Sequence, residues 1–226
     1  MQCDYDTIIL SRYWMLLKIV RRKGRSMFNK LVFMFLASAM MTMALAEVNL
    51  GVDVVNRYVW RGSDFGNSAS VQPTMEYSNG LFTVGAWGAW SVDGSTGGNE
   101  NDLYLSTQLG PVGFTLTDYF FPTYSGNDNL FSLDNHILEL TSSMAFGDLE
   151  AMLAYNFAGD VDNSTYLELG YKFLTMGAGN GFYTIGDDPD FNLVHVEVSA
   201  SRDIFSVAYI LNPEQETSFL VFGISL

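Results

Sequence analysis

Asp53, Arg57, Arg61, Glu76, Glu139, Glu150, Glu168, Lys172, His195 and Glu197 are the side chains of this 226-residue sequence whose types and spacing could do chemistry. Each lies in a run where apolar and polar residues alternate, and each falls on the polar parity. A period of two sends successive side chains to opposite faces of a strand, so these residues belong to the polar faces of several strands. Six carboxylates against Arg57, Arg61 and Lys172 would line a water-filled path with a net field that favours cations. The same residues would equally suit a narrow barrel filled with salt-bridged side chains, without a continuous pore. Both readings stay open at this level. Arg57 and Arg61, on one face of an extended chain, would stand about 13 Å apart at a strand's rise per residue. That is too far to grip one carboxylate together, but each could pair separately, Glu76 being one candidate.

Other chemistries find less support. Asp160, Asp162, Asp187, Asp188 and Asp190 offer hard oxygen ligands of the kind Ca²⁺ takes, yet no twelve-residue calcium-loop pattern contains them. Solvated acidic loops are the simpler reading. His136 falls on the apolar parity near a strand end and His195 on the polar parity, and no Gly-x-Ser-x-Gly element supplies a nucleophile. The expectation is a protein without catalytic, metal or cofactor sites.

The elements that would carry these residues are long strands. Residues 47–62 set Val48, Leu50, Val52, Val54, Tyr58 and Trp60 against Asn49, Gly51, Asp53, Arg57 and Arg61, and Asn56 breaks the apolar parity. Further strands are expected over 70–78, 81–91, 102–109, 112–121, 135–146, 149–157, 165–173, 176–185, 192–200, 204–211 and 219–226, twelve in all, with the Gly-rich 176–185 the least regular. Short connections at 79–80, 110–111, 147–148, 174–175 and 202–203 alternate with longer polar ones at 63–69, 92–101, 122–134, 158–164, 186–190 and 212–215. Asn79-Gly80 reads as a type I′ turn. Short turns at one end and longer loops at the other, with apolar side chains outside and aromatics at the rims, describe a transmembrane barrel. A soluble sandwich has no reason to sort its loops by length.

The start of the chain agrees. Residues 1–26 read as sequence upstream of a start at Met27; Lys30, the apolar 31–43 and Ala44-Leu45-Ala46 then form a secretory signal peptide cut after Ala46. The barrel would occupy 47–226. Seven of eleven basic residues and Cys3, the only cysteine, leave with the leader. Four basic groups against twenty-three acids remain, a formal charge of −19, which argues against nucleic acid as a partner. At the other end, Leu220, Phe222, Ile224 and Leu226 alternate up to the carboxyl terminus, as in strands read by the barrel-insertion machinery.

Several segments together resemble the TorF porin family. They are Arg57-Tyr58-Val59-Trp60-Arg61-Gly62-Ser63, Ser70 and Pro73, Glu76-Tyr77, Gly80-Leu81-Phe82 and Ala86-Trp87-Gly88-Ala89-Trp90. Fainter echoes follow at Asp118-Tyr119-Phe120-Phe121-Pro122, Glu139 and Tyr166-Leu167-Glu168. The resemblance implies a bacterial outer-membrane barrel with a transport role, and it carries over no solute and no catalytic residue.

The sequence therefore predicts an all-β, transmembrane, antiparallel up-and-down barrel of about twelve strands, embedded in outer-membrane lipid and lipopolysaccharide. The expected function is passive diffusion of small solutes or ions with a mild preference for cations. A non-conducting structural or adhesion barrel is the alternative, and a soluble periplasmic β-protein a third reading.

Overall fold

The computed structural model describes residues 47–94, 98–122, 130–132 and 135–226. Among these, the strands in chain order are β1 (Glu47–Val55), β2 (Tyr58–Trp60), β3 (Ser63–Gly66), β4 (Ser70–Ser78), β5 (Phe82–Ser91), β6 (Glu100–Leu109) and β7 (Val112–Phe120). They continue with β8 (His136–Phe146), β9 (Leu149–Ala158), β10 (Thr165–Tyr171), β11 (Leu174–Gly179), β12 (Asn192–Arg202), β13 (Phe205–Asn212) and β14 (Thr217–Ser225). Twelve of them, all but β2 and β3, form a closed barrel in which each strand pairs antiparallel with its sequence neighbour and β1 closes against β14. The expected strand count and topology are those observed. Residues 1–46, with the leader and its cleavage site, fall outside the described residues.

The alternation explains the barrel. Leu50 is 75% exposed, Leu103 60% and Phe222 53%, although all three are apolar strand residues. A chain that turns its Leu, Val and Met outward and its Glu, Gln and Thr inward has an outer surface suited to hydrocarbon rather than water. Outward-facing Tyr77, Phe82, Phe146, Tyr171, Phe173 and Phe205 lie near the short turns, and Trp90, Tyr155 and Phe157 near the loops. Most wall strands have eight to eleven residues, enough for a tilted crossing; β10 and β11 are shorter. No helix among the described residues is long and apolar enough to cross a membrane, which says nothing of strands.

The first expected strand is broken. Residues 47–62 do not form one wall strand: β1 ends at Val55, and Tyr58–Trp60 pairs only with β3. Asn56 is the reason. β1 and β14 share a short register, Asp53↔Ser225 to Val55↔Gly223. Asn56 then extends it with its backbone N–H to Phe222 O (3.0 Å) and its side chain, which donates to Leu220 O (3.2 Å) and accepts from Phe222 N (2.7 Å). An amide side chain standing in for backbone lets the main chain leave the wall while the seam stays satisfied. Trp60 and Ser63 then flank a two-residue turn with Arg61 at φ 49° and Gly62 at φ 81°. Positive φ at both central positions is the type I′ geometry. At Asn79-Gly80, where that turn was expected, only Gly80 takes positive φ, and Asn79 Oδ1 instead accepts from the N–H groups of Leu81 and Phe82.

Further boundaries differ. The turn expected at 174–175 lies at 172–173, with Lys172 at φ 56°, and the one expected at 202–203 lies at 203–204, with Asp203 at φ 55°. β11 stops at Gly179, and Gly181–Tyr183 forms a 3₁₀ turn instead of more strand. The alternation of short turns with longer connections persists around the ring.

Candidate functional site

The interior is organised by the β2–β3 hairpin, which crosses the lumen at the loop end. Tyr58 Oη donates to Glu100 on β6 (2.7 Å). The Arg61 guanidinium donates to both oxygens of Glu139 on β8, Nη2–Oε1 being 3.0 Å. On the far side, Asn212 of β13 donates to Gly62 O (3.2 Å) and Gln215 to Ser63 Oγ (3.4 Å). In the ring order, β13 lies five strands from β8 counted one way round and five from β6 counted the other, so these anchors hold opposite walls. Gly62 is required at the crossing: a Cβ there would fall on the Val194 carbonyl oxygen. A register shift between β11 and β12 brings Val194 and His195 both into the buried interior, although parity had put Val194 with the lipid-facing valines.

Arg61 sits in a socket built from several strands. Its guanidinium carbon lies 4.3 Å from the Trp60 ring centre, 4.6 Å from Tyr166 and 5.3 Å from Tyr183. Its Nη1 also donates to Tyr183 Oη (2.6 Å). Glu139, 1% exposed, receives further hydrogen bonds from Tyr119 (3.0 Å), Thr141 (2.8 Å) and Tyr183 (3.1 Å). A buried carboxylate with this many donors and a forked cation is fully satisfied, which is the condition for burying an ion pair without a large penalty. Arg61 holds a left-handed φ that costs a non-glycine residue roughly 1 kcal/mol or more. The strained backbone aims its side chain at Glu139.

Glycines make the walls that the tyrosines need. A Cβ at Gly177 would overlap Tyr166 Oη, and one at Gly85 would overlap the Tyr104 ring. Tyr166 lies over Gly177, donates to Glu168 (2.8 Å) and meets His195 Nδ1 (3.0 Å). His195 stands between Glu168 (3.5 Å) and Glu197 (3.3 Å). Tyr104 likewise donates to Glu76 (2.6 Å). Below the hairpin, toward the short turns, Gln108, Ser143, Glu150, Glu168, Gly170 and Thr175 line a cavity of about 550 Å³.

The ten residues of the sequence reading thus separate. Arg61 and Glu139 meet, as do Glu168, His195 and Glu197, while Glu76 meets Tyr104 rather than an arginine. Asp53 lies in β1 beside the β14 seam, and Glu150 on the cavity. Arg57 is not on the wall: it belongs to the inward hairpin segment, 3.7 Å from Asp64 and 5.3 Å from the Phe219 ring. Lys172 occupies a turn at the rim, exposed, 3.6 Å from Asp148 and 5.2 Å from the Tyr171 ring. His136, on the apolar parity, is buried between Asp118 (2.7 Å) and Leu130 O (2.9 Å).

Residues absent from that reading are Tyr58, Trp60, Tyr119, Tyr166 and Tyr183, and the buried acids Glu100 and Asp102. Asp102 lies on the same parity as Tyr104, Ser106 and Gln108 and could have been found there; Glu100 fell in an expected loop. The loop acids organise their own turns: Asp160 accepts from Asn156, Asp162 N and Ser164 N, and Asp188 accepts from Asp190 N. Burial opposes the charge on Asp160, but hydrogen bonds from Ser164 and Asn156 and from the backbone hold its carboxyl below the ordinary range. Among the described residues no group of three or more His, Cys, Asp or Glu could hold a metal ion.

Fold and interior together define a closed twelve-stranded antiparallel barrel with an apolar exterior and an inward hairpin. The chain belongs to the bacterial family of unknown function designated Gcw_chp, whose model matches residues 41–187. No curated protein and no solved structure matches it.

Proposed function

We propose that this protein is an outer-membrane channel of porin type whose lumen is closed at the loop end by the β2–β3 hairpin and opens when that hairpin withdraws. The carrying observation is how the hairpin is held. It adds no strand to the wall ladder and is anchored mainly by side chains above a cavity of about 550 Å³ whose lining includes Gln108, Glu150, Glu168 and Thr175. An element outside the ladder can leave without breaking the barrel. The resemblance to TorF porins, the apolar exterior and the leader expected from the sequence support an outer-membrane location, with Leu220, Phe222, Ile224 and Leu226 presented to the insertion machinery. Small solutes and ions are the cargo. Glu76, Glu150, Glu168 and Glu197 give the lumen below the hairpin a negative field, and His195 is the basic side chain among them.

The tight filling of the loop half, with Tyr58, Arg61, Glu139 and Tyr166 all buried, favours a second reading, a permanently sealed structural barrel. Planar-bilayer recording separates the two. The channel reading expects brief openings that prefer cations, more strongly in dilute salt because screening weakens, and less strongly in Glu168→Gln. Anion-preferring openings would overturn the selectivity, and silence under every condition would leave the sealed barrel.

A further inference from the structure

The Arg61 socket has the form of a recognition site whose ligand is tethered to the chain. Its wall part is Glu139, Tyr119, Thr141, Tyr166 and Tyr183, drawn from β7, β8, β10 and the 3₁₀ turn. Those five remain in place if the hairpin withdraws, since Arg61 and Trp60 are the parts that travel with it. What remains is a carboxylate presenting two oxygens to a fork of N–H donors, beneath aromatic faces. That combination selects planar guanidinium cations over a point charge, because the fork fits both carboxylate oxygens and the rings attract a weakly hydrated cation.

We infer that this socket binds small organic cations bearing a guanidinium group and that Arg61 is the built-in competitor that fills it when the lumen is closed. The inference rests on the channel reading above and names its solute class. A guanidinium compound in the lumen displaces the Arg61 side chain, loosens the hairpin and is passed on. The strained φ of Arg61 (49°) fits this role. The backbone conformation is unfavourable for arginine, so the occupant is held less firmly than an unstrained one would be and can be exchanged.

The test uses the full barrel in detergent with methylguanidinium chloride, against sodium chloride and urea at equal concentration. Arg61→Gly empties the socket and suits the positive φ. Calorimetric titration should show saturable methylguanidinium binding to this variant, weakened at least about tenfold in Arg61→Gly/Glu139→Gln, as expected for losing a charge-assisted hydrogen bond. In the unaltered protein, methylguanidinium should raise tryptic cleavage after Arg57 and Arg61 relative to cleavage after Lys172 and Arg202 in a saturable manner, the ratio cancelling occupation of the protease's own specificity pocket by the guanidinium; this readout does not depend on the variants folding. No binding to Arg61→Gly beyond that of urea, or no change in that cleavage ratio beyond sodium chloride, overturns the inference. If binding occurs but the barrel never conducts, the site stands and the channel reading falls; conduction without binding does the reverse.

Discussion

Replacing Glu139 by Gln should release the hairpin, and the size of the effect follows from its surroundings. Glu139 and Arg61 are 1% and 8% exposed, so the neutral amide would leave a guanidinium buried without its counter-charge. Removing one partner of a buried pair costs about 3–5 kcal/mol. Arg61 would keep the Tyr183 hydroxyl and the Trp60 and Tyr166 rings, which places the loss at the lower end. About 3 kcal/mol shifts the closed-to-open equilibrium of the hairpin roughly 150-fold, at 1.4 kcal/mol per factor of ten. Trypsin reads this directly. From residue 47 onward, the sequence offers only Arg57, Arg61, Lys172 and Arg202 as cleavage points. The first two belong to the hairpin segment and the last two lie at the turn end. Cleavage after Arg57 and Arg61 tracks the open population when opening and closing are fast. It should rise on the order of 100-fold in Glu139→Gln, while cleavage after Lys172 and Arg202 stays constant. Equal resistance at Arg57 and Arg61 in both proteins would show that the ion pair does not hold the hairpin.

Gly62→Ala should act on the same equilibrium from the other wall. Its Cβ would meet the Val194 carbonyl at φ 81°, and strain plus overlap of roughly 2–4 kcal/mol should expose Arg57 and Arg61 to trypsin without abolishing heat-modifiable migration of the barrel. Gly177→Ala should displace Tyr166 and lower stability to denaturant in detergent by about 1–3 kcal/mol. Gly80→Ala, with nothing within 4 Å of its Cβ, should cost only about 1 kcal/mol for its positive φ.

The barrel was legible because lipid on one side and a polar lumen on the other force a strict alternation on every wall strand. Leu138, Leu140 and Met144 against Glu139, Thr141 and Ser143 specify β8 and its inner face together. The hairpin escaped for the same reason. Tyr58 and Trp60 alternate with Arg57 and Arg61 as wall residues would, yet both sides of this segment face protein. Period-two reading cannot separate a lipid-facing aromatic from one packed against Tyr119 and Tyr183. Two local signals mark the difference: Asn56, which interrupts the apolar parity, and Arg61-Gly62, a two-residue turn framed by strand-forming residues. Gly177 and Gly179 carried another signal. Glycines two apart share a strand face, and such a bare face invites side chains to lie on it, here Tyr166 and Tyr183. Which carboxylate meets which arginine depends on shear around the closed ring, and no local pattern encodes it.

If the hairpin closes an otherwise continuous lumen, removing it must open the barrel. The direct measurement is single-channel conductance of the barrel with residues 57–67 replaced by a short Gly-Ser turn, recorded beside the unaltered protein after both show heat-modifiable migration. The replaced form should conduct steadily with a cation preference, where the unaltered protein opens only briefly. A correctly folded barrel that stays silent without its hairpin would contradict the account.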